Sequence, residues 1–329
     1  MIEELLDLIV SEVGDMFQIS EIEGDAILFY RHEKQPDFPK ILELAIRVFE
    51  RFHRHLLYYG RDRVCDCGAC SSSDQLTLKF IVHFGPLQEY AIGDRIKLFG
   101  REVILAHRLL KNNVDSREYI LITEPESGGK SPFDFSKEGF ESTVEVYEEL
   151  GEVKIWHKSL STFREGLAAL PPRNPLSIPS VKLSDSVTMQ SDLLALVRAV
   201  TEPEHRLNWM NNLRKIELKE HRINRIQTTH ECLIGQGSVE VTLEDLVQNE
   251  NEVRLIERAK MSFPPMEFFI LYTFLKTDHG IDVRMGNALE ASKNGRLISF
   301  SFPLINRMLA RQNFQNLKRL KHYVENETI

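Results

Sequence analysis

Between Arg214 and Ala291 the chain offers six strand candidates in succession: Arg214 to Glu220, Thr228 to Gly235, Gly237 to Glu244, Arg254 to Met261, Glu267 to Thr277 and Gly280 to Ala291. A strand from Lys182 to Met189 and two helices, Ser191 to Thr201 and Pro203 to Asn211, precede them. One long helix follows, Phe302 to Glu325, with apolar residues at Leu304, Ile305, Met308, Leu309 and Phe314. A series of strands bounded by helices has to bury its apolar side against another layer, which places this half of the chain in the α+β class.

The other half carries a different pattern. Ile2, Leu5, Leu6, Ile9, Val10 and Val13 recur at intervals of three and four, the mark of an amphipathic helix. Phe17 to Ile22 and Ala26 to Arg31 read as strands around Gly24-Asp25, Pro39 to Tyr59 as a helix and Leu76 to Phe84 as a strand. Gly100 to Leu110 reads as a helix and Tyr119 to Thr123 as a strand, so helices cover one face of a sheet in an α+β sandwich. Two breaker stretches follow, Pro125 to Asp134 and Leu170 to Pro175, with a short strand at Val153 to Lys158 between them. The expected organisation is a first domain over 1–125, a linker over 126–178 and a second domain over 179–326. Gly129-Lys130-Ser131 in the linker lacks the first glycine of a phosphate loop at the needed spacing, and no strand leads straight into it.

Charge narrows the partners. A formal net charge of -8 argues against a general nucleic-acid role, because phosphate binding draws on clustered cations. The basic run Lys318-Arg319-Leu320-Lys321-His322 reads as the polar face of the last helix. No segment reaches the apolar length of a membrane span, and the acidic N-terminus lacks the positive region of a signal peptide. Three of the four cysteines crowd into Cys65-Asp66-Cys67-Gly68-Ala69-Cys70, too close for a secreted disulfide framework, so a reducing cytoplasm is the expected setting.

That cluster offers three thiolates in one loop. With His55 or His53 from the preceding helix it could complete a tetrahedral Cys₃His zinc site of Cys65, Cys67, Cys70 and His55. A redox-sensing loop, its thiols lowered by Arg61 and Arg63, and a loop of free cysteines are the standing alternatives.

Three ordered segments carry a family resemblance: Glu21-Ile22-Glu23-Gly24-Asp25-Ala26-Ile27-Leu28, then His83-Phe84-Gly85-Pro86, then Gly100-Arg101-Glu102-Val103 running into Ala106-His107-Arg108-Leu109. Together they resemble the core of the class III nucleotide cyclase domain, which implies a ferredoxin-like sandwich and a metal-assisted attack of the 3′ oxygen on the α-phosphorus. The resemblance assigns Asp25 to a Mg or Mn ion, Arg108 to the phosphates and Glu21 to the purine, guanine in preference. Family metal ligands and the arginine lie on opposite subunits, which implies a homodimer.

This chain departs from the family in four places. The upstream stretch that carries the other metal aspartate is missing, Ile104 stands where the ribose-orienting asparagine belongs, and Lys97 occupies the position that partners Glu21. The first, central strand is also absent, which suggests either a start codon placed downstream of the true one or a domain completed by a partner chain. On the residues alone, Asp25 also reads as a turn residue and Arg108 as a helix C-terminal cation.

The second half resembles the START-like (SRPBCC) helix-grip family from about Val181 to Tyr323. Pro203 through Asn208-Trp209 and Thr229-His230-Glu231-Cys232 stand where that family often has an Arg-x-x-Trp helix and its third strand. The resemblance implies a curved antiparallel sheet wrapped around the long C-terminal helix, with an apolar cavity for a lipid-like or aromatic ligand. Its candidate lining is Trp209, His230, Cys232, Phe269, Tyr272 and Phe274; each of these residues alone also reads as plain core.

The expected whole is a cytoplasmic signalling or ligand-sensing protein. A nucleotide-binding, dimerising cyclase-like pseudoenzyme precedes a module for a small hydrophobic ligand. The competing expectations are an active nucleotide cyclase, should an upstream start restore the first aspartate, and a zinc-bearing interaction protein.

Overall fold

In this computed structural model the described residues are 1–33, 36–64, 68–93, 95–124, 133–178, 181–218, 225–262, 266–290 and 302–326. The fold is α+β, and the chain divides into two compact units. One comprises Met1–Tyr58 and Ser73–Leu170, the other Tyr59–Ser72 and Pro171–Ile329.

The first unit opens with α1 (Ile2–Val13), whose apolar stripe buries Leu5 and Val13. A hairpin follows, β1 (Gln18–Glu23) paired with β2 (Ala26–Tyr30); its turn needs Gly24, which has φ +61°. The long α2 (Phe38–Asp62) turns Phe38, Leu42, Ala45 and Phe49 into one core cluster and Leu44 and Val48 into another. After the short α3 (Gly68–Ser71), which lies in the second unit, come β3 (Phe80–Val82) and a second hairpin, β4 (Gln88–Ile92) with β5 (Arg95–Phe99). Then follow α4 (Arg101–Leu109), β6 (Tyr119–Thr123), β7 (Glu141–Tyr147), β8 (Gly151–Ser159) and α5 (Ser161–Glu165).

Four of these strands form a sheet in the order β3-β6-β8-β7, with β3 and β6 parallel and the other pairs antiparallel. All five residues of β6 are buried, as its unbroken Tyr-Ile-Leu-Ile-Thr run requires of a strand covered on both faces. The expected linker over 126–178 differs from this structure: β7 and β8 belong to the first unit's sheet, and Phe135 and Phe140 are buried in its core. The turn-forming residues of that stretch flank real strands instead of replacing them. Gly129-Lys130-Ser131 lies outside the described residues.

The second unit contains β9 (Lys182–Leu183), β10 (Val187–Met189), α6 (Leu193–Thr201), α7 (Pro203–Trp209), β11 (Leu213–Leu218), β12 (Thr229–Ile234), β13 (Gly237–Gln248), β14 (Glu252–Met261), β15 (Met266–Thr277), β16 (Gly280–Glu290) and α8 (Phe302–Asn326). Asp192 caps α6 by accepting from the Ala195 amide at 3.3 Å, and Pro203 opens α7, where its missing N–H costs nothing. The strands form one antiparallel sheet in the order β10-β16-β15-β14-β13-β12-β11, with β9 added against β16.

Strand periodicity divides this sheet into two faces. One packs Leu243, Val253, Leu255, Tyr272, Phe274, Val283 and Met285 against Leu196 and Val200 of α6, Trp209 of α7, and Leu317, Leu320 and Val324 of α8. The other buries Ile256, Phe269, Leu271 and Ala288 beneath Leu176, Ile178, Val181 and Leu183. Among the described residues no helix is long and apolar enough to cross a membrane.

Candidate functional site

In the first unit the chemistry gathers where β1, β5 and α4 meet. Lys97 Nζ donates to Glu21 Oε2 at 2.9 Å, and His107 Nε2 lies 3.4 Å from Glu21 Oε1. The Lys97 hydrogen bond, more than any other contact, holds the Glu21 carboxyl below its usual range. These two positions, which the sequence resemblance assigns to the purine, are therefore in contact and satisfy one another.

The other expected groups are scattered. Asp25 sits exposed in the β1–β2 turn, and Ile104 is 50% exposed on α4. Arg108 is exposed near the end of α4, where its backbone carbonyl accepts from the Tyr147 hydroxyl at 3.4 Å. His83 is tied at both ring nitrogens, Nδ1 to Thr123 Oγ1 at 2.8 Å and Nε2 to Glu102 Oε2 at 2.6 Å. An ionised carboxylate only accepts, so Nε2 donates to Glu102, while the threonine hydroxyl at Nδ1 can serve as donor or acceptor. A Cβ on Gly85 would lie 2.8 Å from Glu102 Cγ, which explains the glycine of His83-Phe84-Gly85-Pro86.

A cleft of about 710 Å³ opens beside this corner. Leu6, Ile9 and Val13 of α1, Ala26 to Phe29 of β2, Leu44, Ala45 and Val48 of α2 and Phe80 to Val82 of β3 line it. Glu21, Asp25, His83 and His107 reach its walls; Arg108 does not line it.

The second unit holds a buried polar cluster under α7. Arg206, 1% exposed, forms an ion pair with Glu257 and donates from Nε to the Val200 carbonyl at 2.9 Å and from Nη1 to His230 Nε2 at 3.2 Å. Burial would lower the arginine pKa, and Glu257 more than offsets this, holding it above its ordinary value. Burial, aided by the Arg206 charge, pushes His230 down to about 3, so its ring is neutral. Burial raises the Cys232 thiol to about 11 and also raises Tyr272, which Glu257 raises further. Trp209 Nε1 donates to the Ala199 carbonyl at 2.7 Å.

Glu257 Oε2 and the Tyr272 hydroxyl are buried and make no hydrogen bond of normal geometry among the described residues, yet the Glu257 carboxylate acts on the hydroxyl as a loose acceptor, which adds to its upward shift. One is an acceptor and the other can donate, and both lie on the apolar face that α6, α7 and α8 cover. Of the six expected lining residues, Trp209, His230, Cys232, Tyr272 and Phe274 are buried on that face. Phe269 lies on the opposite face, because it is odd-numbered on a strand whose even positions point to the helices. The sequence alone singles out neither Arg206, which lies within the Pro203 to Trp209 stretch of α7, nor Glu257. The available signal was a charged residue within Val253, Leu255, Glu257 and Ala259, which share one face of β14.

Of the expected zinc ligands, Cys65 and Cys67 lie outside the described residues. Cys70 is a half-buried free thiol, and His55 faces Glu4 of α1 at 3.5 Å. Among the described residues no group of three or more His, Cys, Asp or Glu could hold a metal ion.

Comparison with known proteins adds a family match over the N-terminal part of the chain. Residues 2–119 match the family described as "Protein of unknown function (DUF2652)". An uncharacterised protein of Mycobacterium tuberculosis is 30% identical over 121 residues, which cover 37% of this chain. The chain spans 56% of that relative's length. Among solved structures, a hypothetical protein of Helicobacter pylori is similar at 17% identity and a TM-score of 0.37, covering 47% of this chain and 99% of its own. A protein of Chromobacterium violaceum gives 18% identity and a TM-score of 0.34, over 45% of this chain and 100% of its own.

Proposed function

We propose that this chain is a two-unit ligand-sensing protein. Its second unit, read as a helix-grip module, binds a hydrophobic small molecule with one polar group. The observation that carries this reading is the Glu257–Tyr272 pair, buried beside Arg206 and His230 on a face otherwise apolar, whose carboxylate and hydroxyl meet without a hydrogen bond of normal geometry. Buried polar atoms are normally well paired, and a ligand hydroxyl or carboxylic acid placed between the two would complete both. The test is thermal unfolding with a panel of medium-chain fatty acids and hydroxylated aromatics. A binder raises the midpoint in the native protein, since it stabilises the folded state selectively, and loses that effect in Tyr272→Phe. No shift with any member of the panel sinks the reading.

The first unit is read as a class III cyclase-like module without turnover, and homodimeric as that resemblance implies. The Glu21–Lys97 ion pair and the placement of Arg108 away from the cleft support this. Incubation with GTP or ATP and Mn²⁺ is expected to yield no cyclic nucleotide. Product that depends on Asp25 and Arg108 would overturn this reading in favour of an active cyclase.

A further inference from the structure

The last part of the chain departs from the charge balance of the whole. From Ala291 to Val324 there are seven lysines and arginines and no aspartate or glutamate, in a chain whose formal net charge is -8. Several of these cations have partners in α8 or beside it. Arg319 Nε donates to the Trp209 carbonyl at 3.0 Å, Lys321 Nζ donates to the Thr188 carbonyl at 2.8 Å, and Lys318 Nζ lies 4.6 Å from the centre of the Phe314 ring. Arg307 and Arg311 are exposed and make neither an ion pair nor a hydrogen bond among the described residues.

Four residues apart on one helix, the two arginines share a face. There they line an open groove of about 530 Å³ with Met308, Gln312 and Gln315 of α8 and with Asn211 and Asn212 from the loop between α7 and β11. That loop is held in place. The Asn211 amide donates to Asn316 Oδ1 at 3.0 Å, Asn316 is itself buried, and the Gly235 amide donates to the Asn212 carbonyl at 3.1 Å. Asn212 has φ +59°, a left-handed conformation that asparagine adopts more readily than most residues. Among the described residues no carboxylate lines the groove.

We propose that this groove binds a small organic phosphate monoester, with Arg307 and Arg311 on the phosphate. A phosphate monoester carries a charge of about −1.5 to −2 at pH 7 and three strong acceptor oxygens. Two guanidinium groups balance that charge and meet those oxygens with forked donors, whereas a carboxylate, with a single charge, leaves one arginine unmatched. The side-chain amides of Asn212, Gln312 and Gln315 both donate and accept, which suits hydroxyl groups on the rest of the ligand. The groove is larger than a bare phosphate needs, and Met308, 60% exposed, offers a polarizable apolar contact to the organic part. It shares no residue with the Glu257–Tyr272 pair, so the proposal goes beyond the hydrophobic-ligand reading and stands apart from it.

The probe is phenyl phosphate, titrated into the full chain by calorimetry beside inorganic phosphate and benzoate. Phenyl phosphate is expected to bind most tightly, inorganic phosphate less so for want of the Met308 contact, and benzoate least. Arg307→Gln with Arg311→Gln, both at exposed positions, is expected to leave the unfolding midpoint unchanged and to weaken phenyl phosphate binding about tenfold or more, the equivalent of about 1.4 kcal/mol. Lys318→Gln removes a charge from the same helix outside the groove and is expected to leave binding unchanged. The proposal is overturned by any of four results: no binding of phenyl phosphate at millimolar concentration, a comparable loss in Lys318→Gln, benzoate binding as tightly as phenyl phosphate, or inorganic phosphate doing so.

Discussion

The Glu102 carboxylate lies 2.6 Å from His83 Nε2, and its Cγ sits 2.8 Å from where a Cβ on Gly85 would be. One side chain thus fixes both a histidine and a glycine of the same four-residue segment. Gly85→Ala is expected to displace Glu102 and loosen the His83 contact, a loss of about 1–3 kcal/mol for a charged hydrogen bond. In a Glu102→Ala background the steric cause is gone, so the same Gly85→Ala change is expected to be nearly neutral. Denaturant unfolding of the two single variants and the double variant closes the cycle, and additive effects would refute the coupling.

The regular elements were legible because their periods are local. The spacing of Ile2 to Val13 gives α1 at its observed bounds, and the apolar runs of the second half fall on β12 to β16 within a few residues. The β4–β5 hairpin escaped because Gln88–Ile92 and Arg95–Phe99 mix charge with apolar residues over only five positions each. β7 escaped because its acidic, exposed sequence resembles the breaker stretch beside it. The sites were less legible, since their partners are distant in sequence. Arg206 and Glu257 meet across 51 residues and Glu21 and Lys97 across 76, and no period reports either contact.

The Arg206–Glu257 pair should be expensive to break and cheap to replace. Both side chains are almost wholly buried, so Glu257→Gln leaves an uncompensated guanidinium and is expected to cost about 3–5 kcal/mol. Arg206→Met combined with Glu257→Leu removes both charges, and is expected to cost less than either single change. A double variant less stable than both singles would show that the pair contributes net stability.

Two buried histidines make stability depend on pH. Burial, with the nearby Arg164 charge, lowers His53 to about 4, and burial with Arg206 lowers His230 to about 3. Arg164 also holds Glu118 at 2.8 Å, which leaves the neutral His53 ring beside an already paired carboxylate. Both folded values lie below the ordinary 6.5, so below that pH the unfolded chain binds more protons than the folded one. Stability is expected to be full above about pH 6.5 and to fall as pH drops from there towards 4 for His53 and 3 for His230. Chemical unfolding across this window checks it: His53→Gln and His230→Gln should each flatten the slope, and an unchanged slope in both would contradict the assignment.

The turn between β15 and β16 offers a backbone test in the second unit. Gly280 has φ +126°, outside the region that side-chain-bearing residues adopt, and a Cβ there would lie 2.6 Å from the Met189 carbonyl oxygen. That oxygen is backbone of β10, which pairs with β16 through Met189 and Ile281, so it cannot yield without disturbing the sheet edge. The Gln190 side chain closes the other side, donating from Nε2 to the His279 carbonyl at 2.5 Å. Gly280→Ala therefore combines strain with a clash and is expected to destabilise by more than about 1 kcal/mol, against the gain that the same change gives at a compatible site. Gln190→Ala in the same background relieves the side-chain contact but neither the strain nor the Met189 contact, so it should restore only a small part. Full restoration by Gln190→Ala would mean that the side chain, and not the backbone, demands glycine at this position.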